Sequence, residues 1–414
     1  MKRIRFMLFA LLAMLYATNA SALIKGNKFT KNGITYEVTF MDAAHDGLPD
    51  RYEAKFVSSN LSGALTIPST VMDENNQYTF NVTAIDANST VPNATSVSIP
   101  NSVTTINANA FKGNNITSIT IPATVTDIKD GAFSQMKGLT SINVESGSAK
   151  YSATDGVLYE NKTEGKFLIS YPVAKQGTAY GVGGEEFTVP EGVVGIATNG
   201  FQCAATLTRI NLPTTLTQLP TTNEANGFTS ATNLKEIKVA SGNTAFKDID
   251  GVVVTSDGKK LIAYPNNKGG IVDANYDAPT SIDPTHAKAK GNYYEIPAGV
   301  ETIAKGAFAQ VQTITAVKLK DVKKIEEGAF YSVRNLRNVE ISASVQEIAD
   351  GAISGTPDLL GLKVDAGNPY YTADAEGVVY TKDFSELVLY PSGRTGEYTT
   401  HPNTKKIRNR AFYY

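Results

Sequence analysis

Ile119-Thr120-Ile121-Pro122-Ala123-Thr124-Val125-Thr126-Asp127-Ile128-Lys129-Asp130-Gly131-Ala132-Phe133, with Leu139 shortly after, is the stretch whose reading decides the fold. Ile119 and Ile121 alternate with period two, so their side chains share one face of a short strand. Pro122 ends that strand, because proline offers no donor to a strand ladder. Val125 and Ile128 stand three apart, the spacing of a tight turn or short 3₁₀ segment that bends the chain back with both residues pointing inward. Phe133 then fills the interior opposite the strand. One such coil buries too little apolar surface to offset its ordering entropy, roughly 1–2 kcal/mol per backbone residue.

The coil recurs. The preceding copy runs Val97, Ile99, Pro100, Val103, Ile106, Ala110, Phe111 and Ile116. Further copies place Ile196, Leu219, Ile303, Ile325 and Ile348 at the position of Ile128, and Phe201, Phe228, Phe308, Phe330 and Phe412 at the aromatic position. Stacked copies share a continuous core, and a repeat of 22–23 residues falls in the leucine-rich range. The expected fold is a repeat solenoid: a leucine-rich repeat, right-handed superhelix with short parallel strands and 3₁₀ or turn segments.

Three longer inserts resemble one another, near residues 145–172, 240–265 and 365–391. They open on Gly147-Ser148-Ala149-Lys150-Tyr151, Gly242-Asn243-Thr244-Ala245-Phe246 and Gly367-Asn368-Pro369-Tyr370-Tyr371. Each continues through Gly156-Val157-Leu158-Tyr159, Gly251-Val252-Val253-Val254 or Gly377-Val378-Val379-Tyr380 and closes on Tyr-Pro. Two β-rich runs joined by a polar loop make a hairpin, so these inserts are expected to project from the solenoid as β-hairpins. Residues 23–95 fit the repeat less well and are read as an N-terminal cap with an irregular first repeat; residues 96–414 are read as the solenoid.

Residues 1–22 have the three parts of a secretory signal: the basic head Lys2, Arg3 and Arg5, an apolar run over 6–17, and the small residues Ala20-Ser21-Ala22 at a cleavage point. The apolar run is short of the roughly 20 residues a membrane span needs. An exported product, secreted or at the cell surface and not membrane-spanning, is expected. Cleavage removes three of 38 basic residues against 40 acidic ones, so the balance gives no reason to expect nucleic acid. The single cysteine, Cys203, cannot form an internal disulfide, so stability must come from the stack.

The string 121–133 resembles the repeat of the BspA-like leucine-rich repeat family, and the Gly-Val-Leu-Tyr and Tyr-Pro inserts are similar to that family's longer repeats. The resemblance spans about residues 90–414. It implies a secreted or surface-exposed bacterial solenoid active in adhesion or host-protein binding, with no catalytic residues to carry over. Lys320 and Ser342 stand where proline is usual, Ile353 replaces the aromatic, and 221–226 lengthen one turn.

No catalytic signature competes with that reading. His45, His286 and His401 lie in separate polar loops without a second ligand at metal spacing. Cys203 reads as a structural thiol. The acidic segment 42–53 has the look of a calcium loop, but His45 stands where a carboxylate is wanted. Asp248, Asp250, Asp374 and Glu376 sit beside glycines, where acidic residues are ordinary turn formers. Neither cofactor nor metal is expected, and the chain is read as a non-enzyme.

What remains is surface. The residue between the two inward apolar positions of each strand points outward, which selects Ser98, Thr120, Asn143, Thr188, Asn211, Lys238, Lys318, Glu340 and Lys363. These are expected to form one ladder, polar in its first half and charged in its second, that binds a protein, with an extracellular host protein the expected class. The rival surface is the insert tyrosines Tyr151, Tyr159, Tyr370, Tyr371 and Tyr380, which could stack on polysaccharide but are read as packing across strands. A glycan-binding accessory protein and a ligand-free envelope spacer are the alternative functions.

Overall fold

A computed structural model describes residues 23–42, 50–113, 115–180, 184–271 and 292–413. The export segment, His45 with most of the acidic loop around it, and His286 lie outside the described residues. The chain winds as a β-solenoid, with no helix among the described residues.

The apolar-x-apolar segment of each coil is a strand, as its period-two pattern requires, and these strands stack in parallel as a first ladder. Ser118–Ile121 pairs with Ser141–Val144, Gly184–Thr188 with Arg209–Leu212 and then Glu236–Val239, and Tyr293–Glu295 with Ala316–Lys318, Asn338–Ile341 and Lys363–Val364. After the strand the turn closes as expected, the Val125 N–H donating to Pro122 O at 3.1 Å. Ile128, however, is not part of that turn. Asp127–Ile128 is a two-residue strand lying parallel to Thr105–Ile106, with Ile128 opposite Ile106.

The same position forms a second parallel ladder further on. Thr302–Ile303, Lys324–Ile325 and Glu347–Ile348 stack in register, with Ile303 opposite Ile325 and Ile325 opposite Ile348. An i, i+3 pair of apolar residues is compatible with a turn followed by a rung, and the stacking partner 22 residues away decides between the two.

The inserts depart from projecting hairpins in one respect. Each is a three-stranded antiparallel meander, and its third strand is a rung of the second ladder. Gly165–Ser170 pairs in parallel with Val193–Ile196, Lys260–Ala263 with Thr302–Ile303, and Glu386–Leu389 with Lys406–Ile407. The closing Tyr-Pro explains itself once this is seen. Tyr171, Tyr264 and Tyr390 take the aromatic place of their coil, stacking on Phe201, Phe308 and Phe412 at 5.6, 4.9 and 4.6 Å between ring centres. Phe201 in turn stacks on Phe228 and Phe308 on Phe330, so two three-ring stacks lie in the core, each pair adding about 0.5–1.5 kcal/mol beyond burial.

Before the first coils, Lys28–Lys31, Ile34–Asp42 and Arg51–Ser59 form an antiparallel sheet. Its third strand lies parallel to Thr79–Thr90, which pairs with Thr105–Ile106 and so leads into the second ladder.

Candidate binding surface

The nine outward residues are distributed over four sheets, not one ladder. Ser98 lies opposite Thr66, Thr120 opposite Asn143, Thr188 opposite Asn211 and Asn211 opposite Lys238, and Lys318 opposite Glu340 and Glu340 opposite Lys363. The breaks after Asn143 and Lys238 fall where the first two inserts are wound in, because an insert adds chain between consecutive rungs.

Ser98, Thr120 and Asn143 are exposed. Asn143 donates to Ser118 Oγ at 3.1 Å, and Asn211 to Thr188 Oγ1 at 3.1 Å and Glu186 Oε2 at 3.2 Å. Beside them the neighbouring outward column is charged. Arg209 bridges Glu186 and Glu236 from adjacent rungs, and its guanidinium lies over the Tyr180 ring at 3.4 Å. Lys238 reaches Asp248 at 3.2 Å, while Asp248 accepts the Val239 and Gly251 N–H groups. Asp374 accepts the Glu376 and Val378 N–H groups in the same manner. The acidic pairs at the insert entries are therefore turn formers.

The charged half of the face is a column of four. Glu295 precedes Lys318, in register with it, so the rungs read Glu295, Lys318, Glu340, Lys363, alternating in sign at the spacing of about 4.8 Å between paired strands. Sequence reasoning missed Glu295 because its coil follows the long segment 266–292, where the repeat pattern lapses; counting 23 residues back from Lys318 would have found it. Lys318 Nζ lies 4.1 Å from the Tyr293 ring centre. Lys320 pairs with Glu295, whose carboxylate holds the ammonium above its usual pKa. Together with Ser342 and Asp365, the four column residues and Lys320 border a concavity of about 260 Å³. Alternating charge along a fixed column can select a surface of matching pattern.

The insert tyrosines do not offer a rival surface. Tyr151, Tyr159, Tyr371 and Tyr380 are buried, and Tyr370 is the exposed one of the five. Cys203 is half-buried, and burial pushes its thiol pKa up, away from a reactive thiolate. No group of three or more His, Cys, Asp or Glu side chains is arranged to hold a metal ion among the described residues. His401 stacks on Phe384 at 4.0 Å.

The BspA type Leucine rich repeat region model matches six copies over residues 86–155, 180–250 and 286–368, more than half of the sequence. The chain belongs to the BspA-type leucine-rich repeat family. No curated protein matches this BspA-type chain. Among solved structures, the Pneumococcal vaccine antigen PcpA is similar at 19% identity over 84% of each chain, with a TM-score of 0.43. A leucine rich cell surface protein from Faecalibacterium prausnitzii is similar at 16% identity over 83% of this chain and 96% of that one, TM-score 0.37. A leucine-rich repeat protein from Eubacterium ventriosum is similar at 18% identity over 93% and 79%, TM-score 0.40.

Proposed function

We propose that this BspA-type chain is an exported, non-enzymatic binding protein, secreted or held at the cell surface, that engages an extracellular host protein through the outward face of its first ladder. The observation that carries the reading is the alternating column Glu295, Lys318, Glu340, Lys363 and the shallow concavity it borders. Recognition of this kind needs no cofactor: fixed rungs present a charge pattern whose partner must match it in spacing and sign. Export is supported by the basic head, apolar run and small residues of 1–22.

Biolayer interferometry of residues 23–414 against matrix proteins, plasma proteins and polysaccharides tests the reading. Saturable binding to a protein is expected, weakening as salt rises, with Lys318→Ala or Lys363→Ala lowering affinity roughly tenfold. Binding to polysaccharide alone, or to no member of the panel, contradicts it.

A further inference from the structure

Each insert interrupts the second ladder, and the three interruptions are closed differently. They correspond residue by residue: Leu168, Leu261 and Leu387 lie opposite Ile196, Ile303 and Ile407, so Ala197, Ala304 and Arg408 are equivalent. Within unbroken ladder, the carbonyl of a central isoleucine accepts an N–H from the next coil, except at Ile196, where the next coil brings Pro220 to that place. Ile106 O takes Lys129 N at 2.9 Å, Ile303 O takes Glu326 N at 3.0 Å and Ile325 O takes Ala349 N at 2.9 Å.

At the third interruption the Arg408 side chain does that work, donating from Nη1 to Ile348 O at 2.9 Å and from Nε to Glu386 at 2.8 Å. At the second, the Leu219 carbonyl also has no donor among the described residues, but residues 221–226 bridge to the coil beyond the insert, where Asn226 donates to Gly306 O and Ala307 O. The first stays open. Ala197 stands where Arg408 would, no donor from the following coil reaches the Ile128 carbonyl among the described residues, and a cavity of about 390 Å³ occupies the place, with Ile128, Asp130, Glu160, Lys162, Phe167 and Ala197 among the residues that border it.

We propose that this cavity receives the guanidinium of an arginine carried by a partner polypeptide, in the position that Arg408 fills from within the chain at the third interruption. Ile128 O supplies the acceptor that Ile348 O supplies there, and the carboxylates of Asp130 and Glu160 supply the negative charge that Glu386 supplies. Phe167, at the position of Glu386, adds an aromatic face whose present cation is Lys162, 3.8 Å from the ring centre and 3.5 Å from Glu160, so the arriving guanidinium takes the place of that ammonium. A planar, weakly hydrated guanidinium suits ring and carbonyl together better than a compact ammonium does. Free arginine is the poorer ligand, because its own carboxylate would face Asp130 and Glu160. The site lies on the second ladder, so it stands or falls separately from the first-ladder reading.

Isothermal titration of the full exported chain with a blocked glycine-arginine-glycine peptide, its citrulline counterpart and free arginine tests the assignment. The arginine peptide is expected to bind, with citrulline and free arginine each at least roughly tenfold weaker. Ala197→Arg, which supplies the guanidinium internally, abolishes binding at an unchanged melting temperature. Glu160→Gln, a surface change that leaves the core intact, weakens binding severalfold. No binding of the arginine peptide, equal binding of citrulline or free arginine, or wild-type affinity in Glu160→Gln overturns the proposal, as does wild-type affinity in folded Ala197→Arg.

Discussion

Asn368 clamps the third insert to the coil before it. Its Nδ2 donates to Ser342 O at 2.9 Å and Val345 O at 3.0 Å on the preceding coil, while Oδ1 accepts the N–H groups of Tyr370 and Tyr371, both at 2.8 Å. Asn243 makes the same four-way clamp between Pro213 O, Leu216 O and the N–H groups of Ala245 and Phe246. Asn368→Leu leaves four backbone groups without their partner and is expected to cost about 3 kcal/mol or more. Ser148 holds the equivalent place in the first insert with a single bond from Tyr151 N, so Ser148→Ala should cost only about 1 kcal/mol. Urea unfolding of the two variants checks the contrast. The sequence displayed the recurrent Gly-Asn-x-x-aromatic string, but its role was hidden because the carbonyls it grips lie 23 to 30 residues earlier.

Buried tyrosines set the alkaline limit. Burial pushes Tyr36 and Tyr151 up to about 12, and Tyr159, Tyr171, Tyr264 and Tyr294 are raised by the same cause. Since an unfolded tyrosine ionises near 10, the unfolded state loses protons first. The stability these residues contribute is fully present below pH of about 10 and is lost as pH rises through about 10 to 12. Melting temperature should be flat below that window and fall within it, together with growing tyrosinate absorbance. A melt unchanged up to pH of about 12 contradicts the burial described for Tyr36 and Tyr151.

At the scale of elements, strand spacing and inserts explain what was legible. The first-ladder strands follow from apolar alternation bounded by proline, and the aromatic stacks follow from phenylalanines at the same point of successive coils. The second ladder did not, because a two-residue strand has no period of its own; only its register with a copy one repeat away makes it a strand. The lengthened turn at 221–226 likewise makes sense only in space. It packs over Gly306 and Gly328, two coils beyond the insert. A Cβ on Gly328, whose φ is +64°, would stand 1.9 Å from the Asn223 carbonyl oxygen, whereas one on Gly299, with φ +84°, would meet nothing within 4 Å. Gly328→Ala is therefore expected to lower stability by several kcal/mol through displacement of the loop, and Gly299→Ala by about 1 kcal/mol through left-handed backbone strain alone. Equal melting temperatures for the two variants would mean that the loop does not rest on Gly328.

Over the whole molecule, the repeat that builds the core also organises the surface. Neighbouring coils meet along ion pairs one repeat apart: Lys323 with Glu301 at 3.1 Å, Lys324 with Glu347 at 2.9 Å and Lys305 with Glu327 at 3.5 Å. Exposed pairs such as these add at most about 1 kcal/mol each; their larger effect is to fix the sign pattern that each face presents. Thr120, Asn211 and Lys318 were all legible as outward-facing, since strand alternation alone places them. The divisions of their ladder after Asn143 and Lys238 were not, because they depend on inserts entering the stack.

The central claim is that the charge order along the first ladder is what a partner reads. Exchanging one register pair, Lys318→Glu with Glu340→Lys, keeps net charge and the opposite signs between positions 318 and 340, but sets like charges beside Glu295 and beside Lys363 and so breaks the alternating order. Measured by interferometry against the protein that the wild-type chain binds, the exchanged variant is expected to lose roughly tenfold or more in affinity while melting with the wild type. Undiminished affinity in a folded variant would contradict the claim.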